Sequence, residues 1–376
     1  MENKGKRTHA LIWTTAVLLI VALCIVIYYL KVWRFEEYTN DSYVSGNMTV
    51  VNPQIPGIVM SIHVDNTDYV EKGQLLIELD PTDYQIEYER SEANLGEIVR
   101  EVKQMFDVVK QYEADLIARE AELIRAEQDY QNRVNLVGIG GVSKEDFEHI
   151  QANLSAAKAF FESTFFALQG AKARVANTQI PTHPKVLRAA QEFKDAYVNL
   201  KRTQILAPVS GYVAQRQVQI GEQIERGTPL LSVVPLGEIW VEANFKENQL
   251  AKMRVGQAVK ITADIYGRSV VFHGHLMGLN PGTGAVFSIL PPQNATGNWI
   301  KIVQRLPVRV ILDKEEIKVH PLMLGMSTEA TVDLRDQRGP ILRQAQPLKA
   351  LYETNIYPKQ EDGADDVIGE IIRMNS

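Results

Sequence analysis

The sequence has almost no cysteine, and this scarcity limits the chemistry that the chain can perform. Among 376 residues the only cysteine is Cys24, which excludes a disulfide framework and a thiolate metal cluster. The GxxxxGK[ST] pattern of a phosphate-binding loop is also absent from the sequence, which argues against ATP hydrolysis by this chain. The formal net charge is -6 and the sequence has no basic cluster, so nothing indicates a nucleic-acid partner.

The remaining candidates for site chemistry are two histidines and two acidic groups. His273 and His275 share one face of a predicted strand, but no third ligand lies near them in the sequence, so we predict no metal site. Glu36, Glu37 and the acidic run at 361–366 are better explained as solvated charges than as acid/base pairs. We therefore expect no catalytic residue, no cofactor and no metal, and we predict that the protein is not an enzyme.

Charged residues are missing from Ala10 to Leu30, a stretch long enough to cross a bilayer as one helix. Three basic residues precede this stretch and two follow it, a bias that favours a cytoplasmic N-terminus. The residues at its end, Ile27 to Leu30, do not form the small-residue site at which a signal peptide is cleaved. The sequence therefore predicts that residues 1–34 are a cytoplasmic tail and a retained single-pass anchor.

One β-rich stretch is written twice in the chain. Residues 57–79 and 211–233 align without a gap, and in both copies apolar and polar residues alternate as they do in short strands. Each copy is too small to bury a core alone, so we expect the two to pack together. The predicted unit comprises residues 35–81 and 204–235, with 41–50 leading into it. Four glycines are its predicted turn positions, where a positive φ is easily adopted: Gly57, Gly73, Gly211 and Gly227.

Residues 82–203, which separate the two copies, show the apolar spacing of a coiled coil. The three-four spacing runs along 82–136 and resumes in 144–179 and 185–203 after a glycine-rich turn at 138–141. Ser143 is placed to cap the returning helix. At about 1.5 Å per residue the arms of this antiparallel hairpin would be roughly 80 Å long. Such a length suits a spacer that carries its tip to a distant partner.

The remainder of the chain divides into a third β-rich region and a polar end. Short alternating runs over 236–340 predict a small antiparallel β-barrel, interrupted by a long loop at 278–299. Residues 341–376 are polar and are predicted to be a C-terminal tail.

Several segments of the chain resemble the HlyD family of membrane fusion proteins, and among them the EmrA type of multidrug efflux systems. The resemblance lies in residues 41–47 (DSYVSGN), 240–247 (WVEANFKE), 292–301 (PQNATGNWIK) and 304–309 (QRLPVR), together with the split, lipoyl-like β halves. It implies an α+β multidomain fold. A single transmembrane helix would be followed by a long coiled-coil hairpin inserted in a split lipoyl-like β domain, and then by a small antiparallel β-barrel.

The resemblance also implies a function in antibiotic resistance. Such a protein is a periplasmic adaptor of a tripartite multidrug efflux pump, anchored in the bacterial inner membrane with its bulk in the periplasm. It bridges a major-facilitator-type exporter to a TolC-like outer-membrane channel and works as a homo-oligomer. An adaptor of an ABC-driven type I secretion system is the alternative, but the segments at 240–247 and 294–309 favour the drug-exporter branch. An enzyme with a lipoyl-type carrier is disfavoured, because Leu79-Asp80-Pro81 stands where the carrier lysine would be.

The hairpin tip is the candidate partner-binding site. Arg133, Leu136 and Ser143 are similar to an Arg, Leu, Ser pattern found at the tip of many adaptors, which implies that they contact the outer-membrane channel. Arg133 departs from that pattern, because it is one residue closer to Leu136 than is usual and Asn132 stands at the expected position. The alternative from the residues alone is that Leu136 closes the coiled coil and Ser143 only caps a helix.

Overall fold

The structure, a computed structural model, describes residues 3–31, 33–284, 286, 303–343 and 350–376. The resembling segment at 292–301 and most of the loop predicted at 278–299 lie outside these residues. The helices are α1 (Asn3–Lys31), α2 (Thr82–Val137), α3 (Lys144–Val175), α4 (Pro184–Lys201), α5 (Lys314–Val319) and α6 (Ala364–Asn375). The strands are β1 (Glu36–Ser45), β2 (Thr49–Val51), β3 (Gly57–Ile62), β4 (Tyr69–Val70), β5 (Leu75–Leu79), β6 (Gln204–Leu206), β7 (Gly211–Ala214), β8 (Gln223–Ile224), β9 (Leu231–Val234), β10 (Trp240–Lys246), β11 (Ala258–Ala263), β12 (Val271–Leu279), β13 (Arg305–Leu312) and β14 (Ser327–Asp333).

The N-terminal helix carries the apolar stretch that the sequence analysis singled out. Within the described residues, Ile12–Phe35 is long and apolar enough to cross a membrane, and its apolar 18-residue window is not buried against the rest of the chain. A 3-10 turn at Trp33–Phe35 leads from this helix directly into β1. The barrel that contains β1 therefore begins immediately after the candidate membrane span.

The two copies of the repeated stretch form one β unit by exchanging strands. One sheet has the order β2-β9-β7-β4 and the other the order β6-β5-β3-β8. The first copy thus contributes β4 to the sheet that contains β7 and β9 of the second copy. The second copy contributes β8 to the sheet that contains β3 and β5 of the first copy. Residues of both copies share one buried core, which explains why neither half is a domain by itself.

The predicted glycine turns are found at two of the four positions. Gly73 and Gly227 have φ values of 90° and 87°, where a side chain would be strained. The prediction is wrong for Gly57 and Gly211, which are the first residues of β3 and β7 and have no positive φ. These two glycines allow close packing instead. A Cβ on Gly57 would lie 3.2 Å from Cδ1 of Leu79, and one on Gly211 would collide with the carbonyl of Val234.

The barrel is closed by six antiparallel strands in the order β1-β10-β13-β12-β11-β14. Strand β1 pairs with both β10 and β14, so it completes the cylinder. The predicted boundary that places residues 35–50 with the lipoyl-like unit is therefore wrong for β1. The sequence of β1 does not alternate between apolar and polar residues, because two of its inward positions, Thr39 and Ser42, are polar. Both are nevertheless buried, at 4% and 0% exposed. The Ser42 hydroxyl lies 2.6 Å from the Thr328 carbonyl oxygen, to which it donates a hydrogen bond.

The predicted hairpin is present, with one long helix and a broken return. Helix α2 leaves the lipoyl-like unit, α3 runs back along it, and α4 completes the return after a 3-10 turn at Ile180–Thr182. His183 is buried at this break. Its Nδ1 accepts from the Lys185 amide at 3.3 Å, and its Nε2 lies 3.2 Å from the Arg174 carbonyl oxygen. The hydrogen bonds of His183 therefore hold α3 and α4 together at the break.

The predicted C-terminal tail contains a helix that packs on the base of the hairpin, so that prediction is wrong for its last part. Ile368 and Ile371 of α6 are buried against a core that α2 and α4 contribute, which includes Leu95 and Phe193. Hydrogen bonds to Asp365 and Glu361 raise the pKa of Lys194 on α4. The hairpin base is thus a three-helix bundle.

Candidate partner-binding site at the hairpin tip

The tip is a tight turn built on the last residues of α2. The Leu136 carbonyl oxygen accepts hydrogen bonds from the amides of Ile139 and Gly141, at 3.3 and 2.9 Å. Gly140 has a φ of 78°, a conformation that favours glycine. The turn is therefore closed by its own backbone and does not need a partner to hold its shape.

Ser143 begins the returning helix, as the sequence predicts. Its Oγ accepts from the Asp146 amide at 3.0 Å and donates to Oδ2 of the same residue at 2.7 Å. This is the hydrogen-bond pattern of an N-cap, which satisfies an amide that has no partner within the helix. The hydroxyl remains on the surface, but both of its bonds are directed into its own helix.

The Arg133 side chain points away from the tip, back along α2. Its Nη1 lies 3.0 Å from Oδ1 of Asp129, one helical turn earlier, and 3.3 Å from the Asp129 carbonyl oxygen. A partner that recruited this guanidinium would have to compete with a weak, exposed ion pair of the kind worth well under about 1 kcal/mol. The arginine is therefore accessible, although it is engaged in the free chain.

Ile139 is the tip residue that the sequence analysis missed. Its side chain is 78% exposed, whereas that of Leu136 is 38% exposed. The sequence signal was present, because a large β-branched residue is unusual within a turn whose other three positions, Gly138, Gly140 and Gly141, are glycines. The tip thus presents an apolar pair that the hairpin core does not use.

Among the described residues, no group of three or more His, Cys, Asp or Glu side chains is arranged to hold a metal ion. His273, one of the two histidines that share a strand face, pairs instead with a carboxylate. Nδ1 of His273 lies 2.8 Å from Oε1 of Glu316, and the other oxygen of that carboxylate accepts from the His273 amide. This pair joins α5 to β12 and has a structural explanation.

Three of the resembling segments contact one another along neighbouring strands of the barrel. Asp41 accepts from the Asn244 side-chain amide at 3.1 Å and forms an ion pair with Arg305 at 3.0 Å. Toward the other end of the same strands, the Arg309 guanidinium stacks 3.6 Å from the centre of the Trp240 ring. These contacts tie β1, β10 and β13 to one another, so the segments that carry the resemblance have a shared structural task.

The chain matches known proteins over most of its length. A model of the EmrA α-helical hairpin domain matches residues 82–203. The multidrug export protein EmrA of Haemophilus influenzae is 38% identical over 376 residues, which is 100% of this chain and 96% of that protein. The multidrug export protein EmrA of Escherichia coli strain K12 is 40% identical over 342 residues, 91% of this chain and 88% of that protein. A solved structure of the periplasmic adaptor protein EmrA aligns with a TM-score of 0.40 and 19% identity, over 79% of this chain and 98% of that one.

A helical hairpin inserted in a split lipoyl-like unit, joined to a closed barrel and an apolar N-terminal helix, defines a membrane fusion adaptor of the HlyD type. Within that class, the sequence identity over nearly the full length of two relatives decides the assignment. The chain belongs to the EmrA family of multidrug-export membrane fusion adaptors.

Proposed function

We propose that the protein is the periplasmic adaptor of a tripartite multidrug efflux pump. The N-terminus lies in the cytoplasm, α1 spans the inner membrane and the remainder of the chain lies in the periplasm. The barrel faces an exporter of the major-facilitator type in the inner membrane. The hairpin tip binds a TolC-like channel of the outer membrane.

The observation that carries this proposal is the length of the hairpin together with its exposed tip. The 56 residues of α2 correspond to about 84 Å at 1.5 Å per residue. The anchor enters the barrel, whereas the tip lies at the far end of the hairpin that leaves the lipoyl-like unit. A protein built in this way is suited to connect two structures that are separated by most of a periplasm.

The proposed mechanism is assembly, and the adaptor catalyses no reaction. Several copies stand side by side around a sealed passage, and the exporter supplies the energy from a proton gradient. At the tip, Leu136 and Ile139 enter a groove between helices of the channel. Arg133 and Ser143 lie beside this apolar pair as polar contacts.

Cross-linking in whole cells tests the outer-membrane half of the proposal. Single cysteines are placed at Leu136 and Ile139 in a Cys24→Ser background, and a short photoactivated cross-linker is attached to each. Ile117 is the matched control, because it is 68% exposed and lies about 30 Å below the tip on the same helix. We expect an adduct with the outer-membrane channel from the two tip positions and none from Ile117.

Cross-links from the tip to other copies of this chain, with no channel adduct, would refute the docking assignment. The exporter half is tested separately with a cysteine at Arg305, on the barrel end that faces the membrane. An adduct there with an inner-membrane exporter is expected whether or not the outer-membrane channel is present.

A further inference from the structure

The segment Leu334–Arg343, which we call the rim segment, lies at the end of the barrel where the anchor enters. The Leu334 amide donates a 2.8 Å hydrogen bond to the carbonyl oxygen of Phe35, the last residue before β1. The rim segment therefore begins in direct contact with the exit of the candidate membrane span. Strand pairing supports this position, because Glu36 at the start of β1 is paired with Asp333 at the end of β14.

The rim segment is held in place by the barrel. The Val255 amide donates to the Pro340 carbonyl oxygen at 2.9 Å. The buried Gln257 side chain, which is 1% exposed, donates to the Asp336 carbonyl oxygen at 2.8 Å. Hydrogen bonds from the Arg338 side chain, and then from its backbone amide, lower the pKa of the Asp336 carboxyl to about 2. The conformation of the rim segment is therefore fixed by its neighbours.

The side chains that this segment exposes are apolar and basic. Ile341 and Leu342 are 54% and 62% exposed, and together they form a small contiguous apolar patch on the surface. The rim segment contains three arginines and only one acidic residue, Asp336, which forms an ion pair with Arg338. Arg335 approaches a carboxylate no closer than 3.7 Å, and Arg343 forms no ion pair with any residue that the structure describes. An apolar pair with neighbouring positive charge is complementary to the interface of an anionic membrane.

The distance to the membrane is short enough for contact. Only five residues separate Leu30, the end of the predicted span, from Glu36 at the start of the barrel. Even if fully extended, the six steps from Leu30 to Glu36 would reach no more than about 22 Å, and the 3-10 turn at Trp33–Phe35 shortens this path. The headgroup layer itself is roughly 5–8 Å thick on each side. With α1 in the membrane as proposed, the end of the barrel that carries the rim segment is tethered close to the headgroup layer.

We propose that the rim segment is a second membrane contact, in which Ile341 and Leu342 insert at the lipid boundary and Arg335 and Arg343 bind anionic phospholipid headgroups. This inference rests on the proposal that α1 spans the membrane. The rim segment and the anchor together fix the tilt of the barrel, since one attachment alone would leave it free to rotate about the short linker.

Depth measurement with the full-length protein tests this contact. In a Cys24→Ser background, a single cysteine at Leu342 carries an environment-sensitive fluorophore, attached in detergent before reconstitution. The protein is then placed in nanodiscs of phosphatidylcholine with or without phosphatidylglycerol, and nitroxide-labelled lipids serve as quenchers. The matched control is a cysteine at Ile265, which is 56% exposed and lies after the opposite end of β11. We expect emission at shorter wavelength and lipid quenching at Leu342, and neither at Ile265.

The wild-type protein, labelled at its native Cys24 in the proposed anchor, distinguishes failure of the rim contact from failure of the anchor. If the fluorophore on Cys24 is quenched by the lipids while the one on Leu342 behaves like Ile265, the anchor is correct and the rim contact is refuted. If the fluorophore on Cys24 is not quenched, the proposed anchor itself fails. If Leu342 becomes protected only when an exporter is added, the segment is an exporter surface and the lipid contact is overturned.

The charge requirement is tested by the double variant R335Q/R343Q, which leaves the Asp336–Arg338 pair intact. We expect this variant to lose the additional quenching that phosphatidylglycerol gives at Leu342, and the wild-type effect to weaken at high salt. Equal quenching in the two lipid compositions for both proteins would refute the role of anionic headgroups.

Discussion

Replacing Ile371 by alanine should release the C-terminal helix from the hairpin base while the rest of the chain stays folded. Ile371 is 4% exposed and packs into the core that α2 and α4 contribute. A helix of 12 residues is not stable alone in water, so α6 depends on this burial. The substitution therefore acts on the docking of α6 in particular.

The expected magnitude follows from the size of the cavity. A buried isoleucine that is cut back to alanine costs about 2–5 kcal/mol, and the lower half of that range applies at a site near the end of the chain that can relax. About 2–3.5 kcal/mol corresponds to a roughly 30- to 300-fold loss of protection of the α6 amides against hydrogen exchange.

Hydrogen exchange with mass spectrometry on the full-length protein measures this effect. Met374→Ala is the matched control, because Met374 lies on the same helix and is 67% exposed; it should change protection by less than about threefold. Peptides from α6 should lose protection in Ile371→Ala, whereas those from the barrel should not. Equal protection in the two variants would refute the packing argument, and a uniform loss over the whole chain would refute its local character.

Three further predictions concern other parts of the chain. Gly211→Ala should destabilise the lipoyl-like unit by about 1–3 kcal/mol, because its Cβ would collide with a backbone carbonyl of β9. Gly237→Ala meets no atom within 4 Å and should change thermal unfolding by less than about 0.5 kcal/mol; similar losses would contradict the first prediction. The depressed pKa of Asp336, about 2 against 3.8, gives a stabilising contribution above pH 3.8 that is lost as the pH falls through 2. Carboxyl-carbon NMR should show this pKa rising in Arg338→Gln, and an unchanged titration would refute the pairing. Ser143→Ala should fray the start of α3, at a cost of about 1 kcal/mol, whereas Ser143→Asn should keep the protection of the amides there against hydrogen exchange. If drug export fails in both variants, Ser143 makes a contact with a partner in addition to capping the helix.

The sequence predicted the hairpin and the repeated β unit well, because both have signals that are local or duplicated. The heptad spacing gave α2 to within a residue of its observed end, and the alignment of the two copies anticipated the matched strands β4 and β8. The N-cap at Ser143 was also predicted, and the structure confirms it. These elements are determined by periodicity and capping, which need no knowledge of distant contacts.

The elements that were missed depend on distant contacts or on competing signals. Strand β1 was not predicted as a barrel strand because two of its inward positions hold the polar residues Thr39 and Ser42. Their hydroxyls donate hydrogen bonds to carbonyl oxygens of neighbouring strands, which the sequence does not reveal. Helix α6 has apolar residues at Val367, Ile368 and Ile371, a helical spacing that the acidic run before it concealed. At the tip, the roles of the side chains stay predictions, because binding depends on a partner surface as much as on this chain.

The closure of the barrel by β1 has a consequence for how the protein is made. Residue 36 pairs with residue 333, so β1, the first strand of the chain to be made, has an uncovered edge until almost the whole chain is present. The lipoyl-like unit waits as well, because β3 needs β8 from beyond the hairpin. Open strand edges attract other chains, and contacts between such distant residues form slowly. During synthesis each growing chain therefore passes through a period in which both β units are incomplete, and in that period it is most exposed to proteases and to misassembly with its neighbours.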